Sequence, residues 1–421
     1  MKSIAIVGTG IAGMSCAYFL KKLSSYDVTL FEKNNYVGGH TNTVMVGDVP
    51  IDTGFIVYNE ITYPLLTALF RKLQVKTQEA PMSFAVDYRP SDWQYSGSGL
   101  SGLFSQKKNI FNLRFIQMLL TINRFNEEAP TILNDEEYDH VSLQQLVERR
   151  GYSADFLNRY IIPMSSAVWS TPPDKMKDFP AKTLLRFFYN HGFLGLNTQH
   201  PWRTVTGGSR AYREKLIKEF SAAIQVDNAV IEVVGNMKGG VTLLLKDGQK
   251  KDFDQVIFAC HADEALNLLK SPTILQQDLL SKFEYQENTA YLHQDKSVMP
   301  HLKKVWSAWN YRIDQDEASP IVTYYMNILQ KLPTSQDYFV SLNETKPLDP
   351  HKIIRKITYH HPLFNKKTDL AQKELIALNQ SSGPMFFCGS YFRYGFHEDA
   401  LLSSVNLMQD SFDLKVREFL K

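Results

Sequence analysis

At 421 residues the chain is too long for one ordinary core, so two interleaved domains are the expectation. A formal net charge of +2 gives no electrostatic reason to expect a nucleic-acid partner. The three cysteines, Cys16, Cys260 and Cys388, are too few and too scattered for a disulfide framework and suit a reducing, cytoplasmic setting.

Residues 4–7 read as a short buried strand. Glycines break this apolar run at once and no small-residue cleavage site follows, so it is not read as a signal peptide. No later stretch reaches the roughly 18 apolar residues of a membrane span, and a soluble cytoplasmic protein is expected. A glycine loop then leads into an apolar helix over about 12–23. Residues 28–31 form a second buried strand that ends at Glu32. Strand, tight turn, helix and strand is the unit that opens a doubly wound sheet.

From about residue 100 to 196 the pattern turns helical, with helix-type spacing at 113–122 and 142–147. Pro163 is predicted to bend or end a helix begun near Phe156, and Pro172-Pro173 is a break. The chain returns to the first domain at Gly207-Gly208-Ser209. Strands are predicted at 226–233, 241–246 and 254–259, with a turn at Asp247-Gly248 between the last two. Aromatic and β-branched runs at 290–293, 305–309, 321–326 and 339–342 predict an antiparallel sheet. Residues 385–389 read as a further buried strand, followed by a helix from about Asp399. The fold class expected is α/β: a Rossmann-type domain of 1–80, 201–270 and 383–421. It is interleaved with a substrate domain of antiparallel sheet plus helices from 81–200 and 271–382.

The strongest chemical signal is Gly8-Thr9-Gly10-Ile11-Ala12-Gly13. The first glycine permits a tight turn, the second lets backbone approach a pyrophosphate, and the third lets helix and strand pack closely. The helix N-terminus then faces the phosphates. Such a match alone is weak, but here it follows a strand and opens a helix. Glu32 stands about 20 residues on, where a carboxylate can accept a ribose hydroxyl. A dinucleotide is predicted.

Beyond this loop, Gly38-Gly39-His40-Thr41 and Asp52-Thr53-Gly54-Phe55 resemble the flavin-containing amine oxidase superfamily. So do Gly207-Gly208-Ser209, Phe386-Phe387-Cys388-Gly389-Ser390 and the run Tyr394-Gly395-Phe396-His397-Glu398-Asp399-Ala400. In the middle of the chain, Trp202-Arg203-Thr204-Val205, Trp306 to Tyr311, Tyr325-Met326-Asn327 and His361-Pro362 are similar to one bacterial subgroup of FAD-binding oxidoreductases in it. The resemblance implies FAD as cofactor. It implies that Gly8, Gly10, Ile11, Ala12 and Gly13 cradle the pyrophosphate and that Glu32, with Lys33 beside it, holds the adenosine ribose. Gly38, Gly39, His40, Thr41, Gly54 and Phe55 would pass close to the cofactor, and the main chain of Val230 would meet the adenine. Gly389 and Ser390 would lie by the ribityl region. The helix opened by His397, Glu398, Asp399 and Ala400 would aim its amides at the flavin, where its dipole stabilises negative charge on the reduced ring. Three positions depart from the pattern: His40 replaces arginine, Ser390 an acidic residue, and Ser404 a glycine.

With a flavin carrying the hydride, the protein needs a dry pocket and at most one proton acceptor. His293 is the first catalytic candidate and Tyr394 the second. Trp309, Asn310, Tyr311, Tyr325, Asn327, His360 and His361 form a wider set, although each alone reads better as a side chain packed in or beside a sheet. His397-Glu398-Asp399 is either an acid/base group or a helix start. No metal site is expected, because His360 and His361 point to opposite faces of a strand.

Residues 100–125 mix Lys107, Lys108, Arg114 and Arg124 with Phe104, Ile110, Phe111, Phe115, Ile116 and Leu119. The first expectation is a domain helix with a solvated face; the second is peripheral contact with an anionic membrane. The apolar run 184–196, whose last residue lies outside the described residues, adds to this in predicting a hydrophobic small-molecule substrate. The function expected is an FAD-dependent oxidase, dehydrogenase or desaturase of an apolar, lipid-like substrate. The alternatives are a redox-neutral isomerase or mutase, and a non-catalytic lipid or prenyl carrier of the same fold. Oligomeric state is not legible in the sequence.

Overall fold

A computed structural model describes residues 1–195, 198–314, 321–380 and 383–421. The chain opens with β1 (Ser3–Val7), α1 (Ile11–Leu23) and β2 (Asp27–Phe31), as expected. Helix α2 (Pro64–Lys72), strands β3 (Phe84–Tyr88) and β4 (Trp93–Ser96), and helix α3 (Leu113–Asn134) follow. Next come α4 (Ile162–Trp169) and α5 (Ala181–Asn190), then β5 (Ile224–Gln225), β6 (Val230–Gly235), β7 (Val241–Leu245), β8 (Lys250–Phe253) and β9 (Gln255–Phe258). Strands β10 (Glu284–His293), β11 (Trp309–Ile313), β12 (Ile321–Tyr325), β13 (Phe339–Leu342), β14 (Ile353–Leu363) and β15 (Met385–Phe387) lead to α6 (His397–Asp410).

Strands β5-β2-β1-β9-β15 form one parallel sheet in that order. A parallel strand is covered on both faces, which explains why Ile4, Ala5 and Ile6 are all fully buried. Helices α1 and α6 pack together on one face, where Ser404 Oγ donates to the Ala12 carbonyl at 3.0 Å. The antiparallel trio β6-β7-β8 covers the other face through Val233, Leu243 and Leu245. A second, seven-stranded sheet runs β14-β10-β13-β12-β11-β3-β4.

Several local expectations are corrected. The predicted strand 226–233 begins only at Val230, in β6; residues 226–229 form the turn after β5, with Asp227 at φ 51°. In that turn Asp227 N–H and Asn228 N–H donate to the carbonyls of Asn34 and Glu32, which brings 227–230 beside the end of β2. Asp247-Gly248 joins β7 to β8, a strand not anticipated because its Lys-Lys-Asp-Phe sequence lacks apolar alternation. The predicted strand 305–309 starts only at Trp309, since Ser307 and Asn310 bond each other across a tight turn. The second sheet is mixed rather than antiparallel, because β11 pairs in parallel with β3. Pro163 does not end its helix. A widened π turn at Leu157–Ile161 absorbs the missing N–H, and α4 continues to Trp169.

Among the described residues, no helix is long and apolar enough to cross a membrane. All three cysteines are free, although Cys16 Sγ and Cys388 Sγ lie 3.8 Å apart between α1 and β15.

Candidate active site

A cavity of about 740 Å³ runs from the C-terminal ends of β1, β2 and β9 to the inner face of the second sheet. Open α/β sheets bind their ligands at this end. One end of the cavity is the glycine loop. Gly8 adopts φ +103°, and a Cβ there would stand 2.7 Å from the Ala259 carbonyl oxygen. A Cβ at Gly13 would lie 2.0 Å from the Gly8 carbonyl oxygen, so only glycine lets α1 start so close to β1. Gly10 is different: a Cβ there meets no protein atom within 4 Å, and the residue lines the cavity. The loop thus leaves a concave backbone cradle at a helix N-terminus, which fits a pyrophosphate.

Glu32 closes the cradle. One carboxylate oxygen accepts from Thr9 N–H at 3.2 Å and Thr9 Oγ1 at 2.5 Å; the other accepts from Asn34 N–H at 3.0 Å and Asn34 Nδ2 at 2.9 Å. Lys33 pairs with Glu264 at the rim, and Val230 lines the wall beside them.

Midway along the cavity stand Gly39, His40, Gly54, Phe55, Gly389, Ser390, His397 and Ala400. His397 lies flat on Phe55, and its Nε2 is 2.6 Å from the Tyr212 hydroxyl, which also bonds Thr41. Burial pulls the His397 imidazole down to about 3. His40 stacks on Tyr359 at 4.9 Å, and its buried Nε2 has no partner among the described residues. Burial, and then the neighbouring His361, hold it well below the ordinary histidine range. His361, bonded to Asn288, is pulled to about 4 by burial. These are neutral imidazoles at ordinary pH.

The far end is walled by Met82, Val168, Trp169, Phe187, Trp202 and Phe364, with Trp309 and Tyr324 from the second sheet. The indole N–H groups of Trp202 and Trp309 are buried without an acceptor among the described residues. Among the described lining residues, the carboxylates and lysines are Glu32, Lys33 and Glu264, all at the glycine-loop end.

The structure does not bring every expected residue here. His293 lies outside the cavity wall. It is fully buried, with Nε2 2.8 Å from Ser341 Oγ and Nδ1 accepting from Asp295 N–H at 3.1 Å. Both nitrogens are committed to tying β10 to its neighbours. Glu398 and Asp399 turn away from the cavity as well. The Glu398 carboxylate caps α2, accepting from Leu65 and Leu66 N–H at 2.9 Å each. Asp399 accepts from Phe396 N–H and so shapes its own helix start. Gly13, Gly38 and Thr41 support the wall from behind it. Asn310, Tyr311, Tyr325 and Asn327 are likewise not lining residues. Tyr394 lines the cavity, and its carbonyl accepts from Trp169 Nε1 at 3.2 Å. His360 and His361 both border the cavity, but among the described residues no metal-binding group of side chains occurs.

Two supports escaped the sequence reading. Asp52, fully buried, accepts from Ser209 N–H, Ser209 Oγ, Thr43 Oγ1 and Gln330 Nε2, and thereby holds the segment carrying Gly54 and Phe55. Burial raises this carboxyl to about 6. Tyr212 carries the His397 bond from a helix 185 residues away in sequence. A buried polar residue at such separation gives no periodic signal.

A parallel sheet with a glycine cradle, joined through one cavity to an aromatic-walled second sheet, defines a dinucleotide-binding flavoprotein. The chain belongs to the flavin-containing amine oxidoreductase family, whose family model matches residues 11–302. The cofactor of that family is FAD, and the cradle fits it. Over 54 residues the chain is 44% identical to a 1-hydroxycarotenoid 3,4-desaturase of Flavobacterium sp., covering 13% of this chain and 11% of that protein. A coproporphyrinogen III oxidase of Staphylococcus aureus matches at 44% over 54 residues, 13% of this chain and 12% of that one. The chain therefore aligns with only about a tenth of the length of these relatives. In fold it is similar to a CLA-producing fatty acid isomerase from P. acnes (TM-score 0.70, 16% identity, 98% of this chain and 99% of that one). It is also similar to cyclohexylamine oxidase from Brevibacterium oxydans IH-35A (TM-score 0.68, 13% identity, 97% and 99%).

Proposed function

We propose that this protein oxidises a neutral, apolar substrate of acyl or isoprenoid type. The observation that carries this reading is the far end of the cavity, which is aromatic and aliphatic and has no lysine or carboxylate among its described lining residues. A charged amine or a free carboxylate would lose its hydration there without gaining a counter-ion. A chain of methylenes or isoprene units gains about 25 cal/mol for each Å² it buries. The N–H groups of Trp202 and Trp309 offer donors to a single substrate oxygen, such as an ester or ether.

In this reading Gly8, Gly10, Ile11 and Ala12 hold the pyrophosphate, with Gly13 allowing the close approach. Glu32 and Lys33 take the adenosine end together with the backbone of Val230. Gly39, His40, Gly54, Phe55, Gly389, Ser390 and the first turn of α6 border the flavin. FAD, when bound, supplies the hydride acceptor. The residues around it exclude water and orient the chain, while His40 presents a neutral nitrogen able to hold a proton at Nε2. Tyr394, a lining residue, is the second candidate for contact with the substrate. The domain division expected from the sequence is kept as part of the proposal: 1–80, 201–270 and 383–421 for the cofactor, 81–200 and 271–382 for the substrate.

A second reading, redox-neutral isomerisation of an acyl chain, draws on the likeness in fold to the fatty acid isomerase. One experiment serves both. Small molecules released from the freshly purified protein on denaturation are identified by mass spectrometry, and the lipid class found is then mixed anaerobically with the holoprotein. Bleaching of the flavin with loss of two substrate hydrogens supports oxidation. A rearranged product with no lasting bleaching supports isomerisation. Bleaching by small primary amines but by no lipid overturns the apolar-substrate reading.

A further inference from the structure

The outward face of residues 99–124 is unlike that of an ordinary surface helix. Amphipathic surface helices put apolar residues inward and polar ones outward. In α3 the inward stripe is present: Phe115, Met118 and Phe125 are fully buried. The outward row, however, is Leu113, Gln117, Leu120 and Arg124. Leu113 is 83% exposed and Leu120 66%. Just before the helix, Phe111 is 87% exposed and Leu100, on the short helix Gly99–Leu103, 75%. Ile110 is also exposed. Burying these five would be favoured strongly, yet none of the described residues covers them.

This surface is firmly built. Asn112 caps α3 by accepting from Phe115 N–H, and the Phe115 ring packs against Trp93, Tyr95 and Phe104. Residues 97–125 contain four lysines and arginines and no aspartate or glutamate; Arg124 pairs with Glu128 on the next turn, and Lys107 has no ion pair among the described residues. Tertiary structure adds to this. Gln94 accepts from Leu302 N–H while its own N–H donates to Gln106, which sets Lys303 and Lys304 beside Lys107 and Lys108. Asp92 and Asp155 at the edges are held by Lys108 and Arg114. On its inner side α3 packs against α5, and α5 carries Phe187 of the cavity wall. The helix that carries this face thus packs on a helix of the cavity wall.

We propose that Leu100, Ile110, Phe111, Leu113 and Leu120, rimmed by Lys107, Lys108, Lys303 and Lys304, dock this enzyme on an anionic lipid bilayer. Protruding apolar side chains enter the boundary between headgroups and acyl chains, and the lysines meet the lipid phosphates. The inference extends the apolar-substrate reading but stands on other residues. A bilayer docked here would meet the helix that packs on the wall of a cavity suited to its chains.

The test uses the FAD-loaded full chain and sedimentation with vesicles of phosphatidylcholine, alone or with about one-third phosphatidylglycerol. Binding to the anionic vesicles is expected, weakening as salt rises because the lysines act through screened charge. The double variant Phe111→Asp, Leu113→Asp is expected to lose at least about tenfold in partition, with flavin content and melting temperature unchanged. Lys107→Glu with Lys303→Glu should abolish only the preference for anionic lipid. Failure of the wild type to bind anionic vesicles, or equal binding by the double variant, overturns the proposal. So does a wild-type dimer that the double variant turns into a monomer, since the face would then join two copies. Vesicle binding without turnover of any lipid would leave the docking face standing and remove the substrate reading instead.

Discussion

His397 lies flat on Phe55, with ring centroids 3.9 Å apart and planes 9° from parallel. Burial in this stack pulls His397 to about 3, and buried His361 and His191 sit at about 4. An unfolded histidine titrates near 6.5, so between those values the unfolded chain binds more protons than the folded one. These groups therefore contribute stability that is present above about pH 6.5 and is lost as pH falls toward 3–4. The histidine share of the melting temperature is expected to fall from pH 7 to pH 5, against the opposite contribution of the buried carboxyls. His397→Phe keeps a flat ring against Phe55 and should make that fall shallower. Thermal scans across this range check it, and parallel curves for the two proteins would refute it.

Glu398 and Asp399 shift the other way. Burial raises each carboxyl to about 7, against the two N–H bonds that favour the Glu398 charge. A raised folded pKa gives stability that is complete below the unfolded value and is lost as pH rises through about 7. Glu398→Gln should flatten the loss between pH 6 and 8.5. At pH 6 the variant should also be less stable by about 1–3 kcal/mol, because its amide leaves one N–H of α2 unpaired. Chemical denaturation at both pH values measures this, and an unchanged alkaline slope would count against the assignment.

Two glycines separate folding from cofactor binding. Gly13→Ala drives a methyl to 2.0 Å from the Gly8 oxygen, so loss of both stability and flavin is expected. Gly10→Ala meets no protein atom within 4 Å, so the protein should fold with stability within about 1 kcal/mol of wild type. Its methyl stands in the cradle, and flavin retention should fall. The flavin-to-protein absorbance ratio with a melting curve decides; full flavin in Gly10→Ala would remove the pyrophosphate from this loop.

His293→Ala is expected to behave as a stability variant. It leaves the Asp295 N–H unpaired in a buried setting, at a cost of roughly 1–3 kcal/mol, and takes one of two partners from Ser341 Oγ, which keeps Thr323 Oγ1 at 2.8 Å. Flavin content and kcat per folded molecule should hold within about twofold, since no cavity contact is lost. A large fall in kcat with unchanged melting would restore His293 to the chemistry.

The amino-acid sequence by itself determined the cofactor end. A glycine cradle depends on local backbone geometry, and Gly8, Gly10, Gly13 and Glu32 are brought together by two adjacent strands, one turn and one helix, so spacing alone reveals them. The continuous apolar runs of β1, β2 and α1 are equally local. Tertiary structure decided the rest. His293 and His397 are both histidines in apolar surroundings, and no pattern distinguishes the one locked between strands from the one in the cavity. Their places are set by partners 48 and 185 residues away, Ser341 and Tyr212. The same holds for Glu398, whose carboxylate is taken by a helix more than 330 residues earlier. Side-chain direction in a wall built from two sheets and several helices follows from how those elements pack. Packing is a sum over distant contacts that a local reading of the chain does not contain.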